Sequence, residues 1–461
     1  MKNILLYLLV ALSFAIVFSA CSEDKDELIV DTVTESDRAI NSCEGCHTNY
    51  DVLQDVYSPD DPSTGGGHGC GGDAPHYEPY DRVYLSTSSS DYQEFKADIH
   101  GRLECTYCHN GVNGTSDKEM AHSNDFIQKP STHADEKCGV CHADIYERAH
   151  NNLHANGWGQ KSMLTLRYGL GTGPDKFDQL PDELKHAYDQ NCSTCHGTCG
   201  DCHINRPPAG GGGLYKSHKF NRKPDMRDNC TACHSSRGGH AYFGIAAGTK
   251  PDVHYSKAGF ECTQCHSGEE LHGDGEYHDQ RYKLSNKPEC VDCHTDVAGS
   301  NTFHSVHMDD LNCNTCHSQD YNNCGSCHIG AEGARVESHL KFKIAINPLP
   351  DIKPYSMVTV RQSLMAPDSW DVYGVDAMPD FAVRPTYKYS TPHNIQRWTT
   401  RTADENGDPY TTCFYGCHIR VEADTVYNKE FYLFESDLQD WEIEANKDIV
   451  VDGKLPSSWG L

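Results

Sequence analysis

The chain has 461 residues, 37% of them hydrophobic, and 39 Lys+Arg against 67 Asp+Glu give a formal charge of −28. So acidic a surface argues against nucleic acid as a partner and against electrostatic adhesion to anionic lipid, and it suits small cations, positively charged mineral surfaces or basic patches on other proteins. Length alone predicts roughly two to four domains, and the apolar content is low for cores of that number.

At the N-terminus, Lys2 precedes an apolar run from Ile4 to Phe18, followed by Ser19, Ala20 and Cys21. The run is short for a membrane-spanning helix and has the proportions of a signal peptide, placed at residues 1–20. Ordinary cleavage after Ala20 would need a small residue where Phe18 stands. The block therefore resembles a lipobox, with Cys21 acylated as the first residue of the mature chain, although Phe18 departs from the usual Leu. Ser22 in place of Asp resembles outer-membrane sorting. Residues 21–40, with the acidic stretch Glu23 to Glu27, read as a lipoprotein tether. The expectation is an exported outer-membrane lipoprotein, on its periplasmic or cell-surface side, held to the membrane by N-terminal lipid.

From Cys43 onward one pattern recurs, Cys-x-x-Cys-His. Its copies are Cys43/Cys46/His47, Cys105/Cys108/His109, Cys138/Cys141/His142, Cys192/Cys195/His196 and Cys199/Cys202/His203. Cys230/Cys233/His234, Cys262/Cys265/His266, Cys290/Cys293/His294, Cys313/Cys316/His317 and Cys324/Cys327/His328 complete the ten. This is the attachment spacing of c-type haem: two thiols add to the porphyrin vinyl groups and the next histidine becomes the proximal iron ligand. Zinc ribbons and disulfides also use paired cysteines, but neither requires a histidine after every second one. Export agrees, since haem is attached covalently outside the cytoplasm. Residues 41–330 are thus read as a multihaem region carrying ten haem c groups.

The motif histidines are 62, 33, 54, 7, 31, 32, 28, 23 and 11 residues apart. Such short intervals leave little room for regular structure and predict near contact at His196/His203 and His317/His328. The run from Ala143 predicts a helix as far as Gly157, with His150 and His154 one turn apart on one face. Pro181, Asp182 and Glu183 open a second helix that carries His186. Gly65 to Gly67 and Pro207 to Gly213 read as loops. Residues 331–410 lack cysteine and are rich in Pro, Tyr and β-branched residues, for example Tyr355 to Arg361, which predicts a haem-free wrapping segment with short strands. Residues 411–461 hold a variant motif, Cys413/Cys417/His418, with three residues between the thiols, and an acidic tail. We expect an eleventh haem there; a disulfide, with lone Cys70 as one partner, is the competing reading. Cys70 itself stays open between free thiol, disulfide and axial ligand. In the tail, the aromatic block Phe431 to Phe434 should dock and the acids should stay in water.

The second axial position separates electron transfer from catalysis. Seventeen histidines lie outside the motifs and the chain has 8 methionines, so bis-histidine ligation is expected. The distal iron-ligand candidates are His100, His133, His150, His154, His186, His218, His240, His254, His272, His304, His307, His339 and His393. His100 and His133 stand five residues ahead of a motif cysteine, His186 and His307 six, and His254 eight.

The stretch from about 41 to 418 resembles the multihaem cytochromes c of bacteria that respire extracellular acceptors. It is similar in haem number to decahaem surface cytochromes, but has no motif-free stretch before His328 long enough for their β-barrel domains. The resemblance implies closely spaced haems conducting electrons between redox proteins of the periplasm or outer membrane and an external acceptor, with no catalytic residues. The fold expected is haem-dense and mostly irregular, with short α-helices around a packed haem array and a small β-containing C-terminal wrap. One alternative is a reductase of the octahaem tetrathionate, nitrite or hydroxylamine type with one open haem. Some of those replace the motif histidine by lysine; here every motif ends in histidine, and the terminal His418 site is where an open iron is expected if there is one. Another alternative is a homo-oligomer, the subunit of a haem filament.

Overall fold

The computed structural model describes residues 40–58, 78–214, 216–245, 249–321, 341–363, 366–376, 378–411 and 413–459. Several expectations fall outside the described residues: the signal peptide, Cys21, the tether as far as residue 39, Cys70 and His339. The tenth motif does so as well, with Cys324, Cys327 and His328 all beyond them, and so does the side chain of Cys413.

Helices before residue 320 are short, and capping residues explain their limits. Helix α1 (Pro79–Ser88) has proline in its first turn, and the Glu78 backbone N–H donates to Asp81 at 2.9 Å, a reciprocal cap. Helix α2 (Ser90–Ala97) starts from Ser89, whose hydroxyl accepts from the Tyr92 N–H. The run from Ala143 to Asn156 breaks into α3 (Ala143–Ala149) and α4 (Leu153–Asn156). Asn152 causes the break: its backbone is extended, and its side chain accepts from Ala155 N–H at 2.7 Å to cap α4. His150 and His154 therefore do not share a helix face, contrary to the sequence reading.

Gly157, at φ +62°, closes α4 and opens α5 (Trp158–Arg167), a left-handed position that glycine adopts without strain. Helix α6 (Asp182–Asn191) follows Pro181 with both acids in its first turn. Its Leu184, Ala187 and Tyr188 share one stripe and pack with Leu164 of α5 and with Trp370, Met378 and Phe381 from far along the chain. Each large side chain fully buried there contributes on the order of 2 kcal/mol. Arg167 fastens the same junction. It is buried, donates to the carbonyls of Phe381, Arg384 and Pro385 at 3.1–3.2 Å, and lies 4.6 Å over the Phe381 ring.

After residue 341 the chain builds an ordinary core. Strands β1 (Lys343–Ile346), β2 (Met357–Gln362) and β3 (Tyr387–Tyr389) form an antiparallel sheet in the order β1-β2-β3, with Lys343 opposite Val360 and Val360 opposite Tyr389. Leu433, Leu438, Ile449 and Val450 of the tail cover it. A second, two-stranded sheet pairs β4 (Arg420–Glu422) with β5 (Thr425–Tyr427) just after His418. The aromatic block docks through Tyr432, Leu433 and Phe434. One acid of the tail does not stay in water: Glu442 is fully buried, accepting from Thr386 Oγ1 at 2.6 Å and Gln362 Nε2 at 3.1 Å. Those donors, with the Gln439 N–H on its other oxygen, replace its hydration shell.

Of the buried apolar residues, eleven precede residue 330 and twenty follow residue 341, in less than half as many described residues. The first part of the chain is therefore not held by a side-chain core. It surrounds instead a continuous cavity of about 7310 Å³. Among the described residues no helix is long and apolar enough to cross a membrane.

Candidate functional site

The cavity is lined by the motif cysteines. In several motifs the pentapeptide is a single helical turn, as in Cys43–His47, Cys105–His109, Cys199–His203 and Cys313–His317. A turn places thiols three apart on one side and carries the next residue forward beside them. Buried carboxylate Asp201 fixes the Cys199 turn: it accepts from Thr198 N–H and from Lys129 Nζ, both at 2.8 Å.

Nine motif histidines face a histidine from elsewhere in the chain. The pairs are His47/His122, His142/His100, His109/His218, His234/His154, His203/His272, His294/His254, His266/His393, His317/His304 and His418/His307. Their ring centroids are 6.0–6.2 Å apart in every case, while the interplanar angles run from 20° to 78°. Direct ring packing would couple distance to tilt. A constant distance with free rotation is what two imidazoles show when both point at one atom midway between them. A metal–imidazole bond of about 2.0 Å, plus about 1.1 Å from nitrogen to ring centre, puts two trans rings about 6.2 Å apart.

The ring nitrogens agree. Nδ1 of His109, His203 and His317 meets the carbonyls of Ile127, Asn221 and Gln396 at 2.8, 2.7 and 3.2 Å. Nδ1 of His122, His218 and His393 meets those of Lys118, Ser86 and Thr391 at 2.8, 3.2 and 3.0 Å. A carbonyl can only accept, so the proton sits on Nδ1 and the Nε2 lone pair faces the gap, the arrangement of a metal-ligating histidine. Three pairs have a carboxylate on one ring: Asp98 on His100 at 3.3 Å, Asp252 on His254 at 3.0 Å and Glu270 on His266 at 2.9 Å. The bonds to Asp252 and Glu270 raise the affinity of His254 and His266 for a proton. Burial, then neighbouring imidazoles, holds His47 and His234 down at about 4, so they are neutral at pH 7, as ligation requires.

These residues fit haem. The cavity amounts to roughly 700 Å³ for each of the ten motif sites within the described residues, inside the usual 300–1,000 Å³ of a small-molecule pocket. Nine described sites have two cysteines at the wall next to a histidine, the His418 site has Cys417 there, and nine of the ten have a second imidazole opposite the motif histidine. Among the described residues no cluster of three or more His, Cys, Asp or Glu side chains could hold a bare metal ion.

Sites next to one another share walls. Cys138 touches Cys199, Cys230 touches Cys262, Cys290 touches Cys313 and Cys195 touches Cys233. Cys43 and Cys105 are close electrostatic neighbours, as are Cys108 and Cys138, Cys202 and Cys230, and Cys265 and Cys293. Tyr432 lies beside both Cys417 and Cys316. The sites of His47, His109, His142, His203, His234, His266, His294, His317 and His418 therefore follow one another in a line. The site of His196 joins that line from the side, at the site of His234, where Cys195 meets Cys233. The close approach expected between His317 and His328 involves Cys324, Cys327 and His328, which lie outside the described residues, so the expectation of a haem there rests on motif spacing alone.

The structure does not bring four of the sequence candidates to a motif histidine among the described residues. His133 ends a 3₁₀ turn with Nδ1 on Thr132 Oγ1, and His150 stacks on Tyr146 of its own helix. His186 lies on the exposed side of α6, because the stripe through Leu184 and Tyr188 faces the core, and its ring meets the edge of Tyr373. His240 is exposed beside the three-residue helix Ala241–Phe243. Conversely, His122 is missing from the candidates that the sequence offers. It follows a motif instead of preceding one, and its partner His47 is far upstream. Position ahead of a motif also fails to name the partner: His100 faces His142, His254 faces His294 and His307 faces His418. His418, the place where an open iron is expected if there is one, has an imidazole opposite it.

No family model, characterised protein or solved structure matches this chain.

Proposed function

We propose that this protein is a multihaem cytochrome c that conducts electrons along its cavity. The single observation that carries the reading is the set of nine histidine pairs with constant separation and free rotation. Haem, when bound, supplies a one-electron couple at each iron. The chain's residues do the rest. Two cysteines per site would fix the porphyrin edge to the wall, and with thiols of consecutive sites touching or close by, they would bring consecutive edges together. At each paired site the two imidazoles would both hold the iron, which would leave no place there for a substrate. Carbonyl partners at Nδ1 keep the rings oriented, whereas Asp252 and Glu270 make their rings stronger donors and so favour the oxidised iron. Ten haems are proposed at the complete motifs, the one on Cys324 and Cys327 included, and an eleventh at His418.

Export through residues 1–20, acylation of Cys21 and placement at the outer membrane belong to the same proposal. They rest on the N-terminal sequence and on the extracytoplasmic attachment of haem. Partners would then be redox proteins on one side and an external acceptor on the other, met at an exposed haem edge; the excess of acid favours basic or cationic partners. Haem content per chain, from intact mass together with the pyridine haemochrome spectrum, tests the reading. Ten or eleven supports it; eight or fewer, or a stoichiometric zinc content, rejects it.

A further inference from the structure

One motif histidine departs from the pattern of the other nine. Among the described residues His196 has no histidine opposite it; its Nε2 is hydrogen-bonded to the Tyr188 hydroxyl at 2.5 Å. Whichever of the two donates, the one in-plane position of that nitrogen is taken. Nor is there room beside it, because Gly157 packs so close that a Cβ there would collide with both Nε2 and the Tyr188 oxygen. Tyr188 is not free to swing away. Its ring is buried, edge-on to Phe177 at 4.7 Å, within the core formed by α5, α6 and the Trp370–Phe381 region. The cavity wall records the result. Cys192, Cys195 and Gly197 line it and His196 does not, while each of the nine paired motif histidines does.

Resting on the reading that these motifs carry haem, we propose that the haem attached at Cys192 and Cys195 is the open one of the described array. Tyr188 withholds His196 from its iron, and the site binds a small exogenous ligand such as carbon monoxide or cyanide. Its place is consistent with that role, since its thiol Cys195 meets the line of described sites from the side, at Cys233. A spur of this kind can exchange electrons with the line without interrupting it. The open position is then at the regular motif of His196 and not at the irregular Cys413/Cys417/His418 motif, whose histidine faces His307.

The test uses the full-length holoprotein. Haem content is measured first, so that a shortfall, which would reject the cytochrome reading itself, is told apart from failure of this inference. With full haem content, the reduced protein should bind one carbon monoxide per chain, and the oxidised protein should show one high-spin iron by EPR. The double variant Cys192→Ala/Cys195→Ala should lose one haem by mass and lose carbon monoxide binding with it. Tyr188→Phe should release His196, so that an iron–histidine stretching line appears in the resonance Raman spectrum of the reduced protein at unchanged haem content. A fully loaded protein that is low-spin throughout and binds no carbon monoxide overturns the proposal. So does binding that persists in the double variant, which would place the open iron elsewhere. Should the double variant fail to fold, an unchanged Raman spectrum in Tyr188→Phe overturns it.

Discussion

Replacing Glu270 by glutamine isolates the contribution of one carboxylate to one haem site. Glu270 sits in the short helix Gly268–His272, its side chain largely buried, with both oxygens within 3.1 Å of His266 Nδ1. The Glu270→Gln variant keeps the shape and one hydrogen-bond acceptor but loses the charge. A hydrogen bond to a charged group contributes about 1.5–3 kcal/mol and one between neutral groups about 0.5–1.5, a loss of about 1 kcal/mol of electron donation toward the oxidised iron. At 59 mV per tenfold change in a one-electron equilibrium, that is an upward shift of roughly 40 mV at the His266/His393 site. A redox titration followed by EPR, comparing variant with wild type, should show one low-spin component moving upward while the rest stay. No shift, or a downward one, would refute the claim that Glu270 acts on the site through His266.

Arg167→Met tests the junction between the motif region and the C-terminal wrap. It strips three carbonyls of their donor and leaves buried Glu442 without its nearby guanidinium. Chemical denaturation of the holoprotein should register a loss of about 3 kcal/mol. His122→Ala should convert one low-spin haem to high-spin, whereas His133→Ala, at a histidine with no motif partner among the described residues, should leave the EPR spectrum unchanged. Cys21→Ser should move the protein from the membrane fraction to the soluble one, and continued membrane association would refute the lipid anchor.

Much of the site is written locally and some of it is not. The attachment pentapeptide fits in one helical turn, so its residues announce themselves by spacing alone, as do the proline and acids that open α6. Which second histidine faces which motif depends on distant chain. His393 reaches His266 only because the wrap folds back over the cavity, and His122 reaches His47 across α1 and α2. The helix break at Asn152 turns on one side-chain cap that competes with a strongly helical run. Burial of Glu442 depends on donors from β2 and from the Thr386 region, which the tail's own composition does not reveal. The exception at His196 is likewise invisible in its motif. It arises from Tyr188, one helix earlier, whose position is fixed by packing against residues near 370–381.

Near-infrared magnetic circular dichroism of the fully oxidised holoprotein tests the central claim most directly, because its charge-transfer bands identify the axial ligands of low-spin haem. Bis-imidazole bands amounting to at least nine haems per chain are expected, one for each histidine pair. A spectrum dominated by histidine–methionine or high-spin bands would contradict conduction through paired imidazoles.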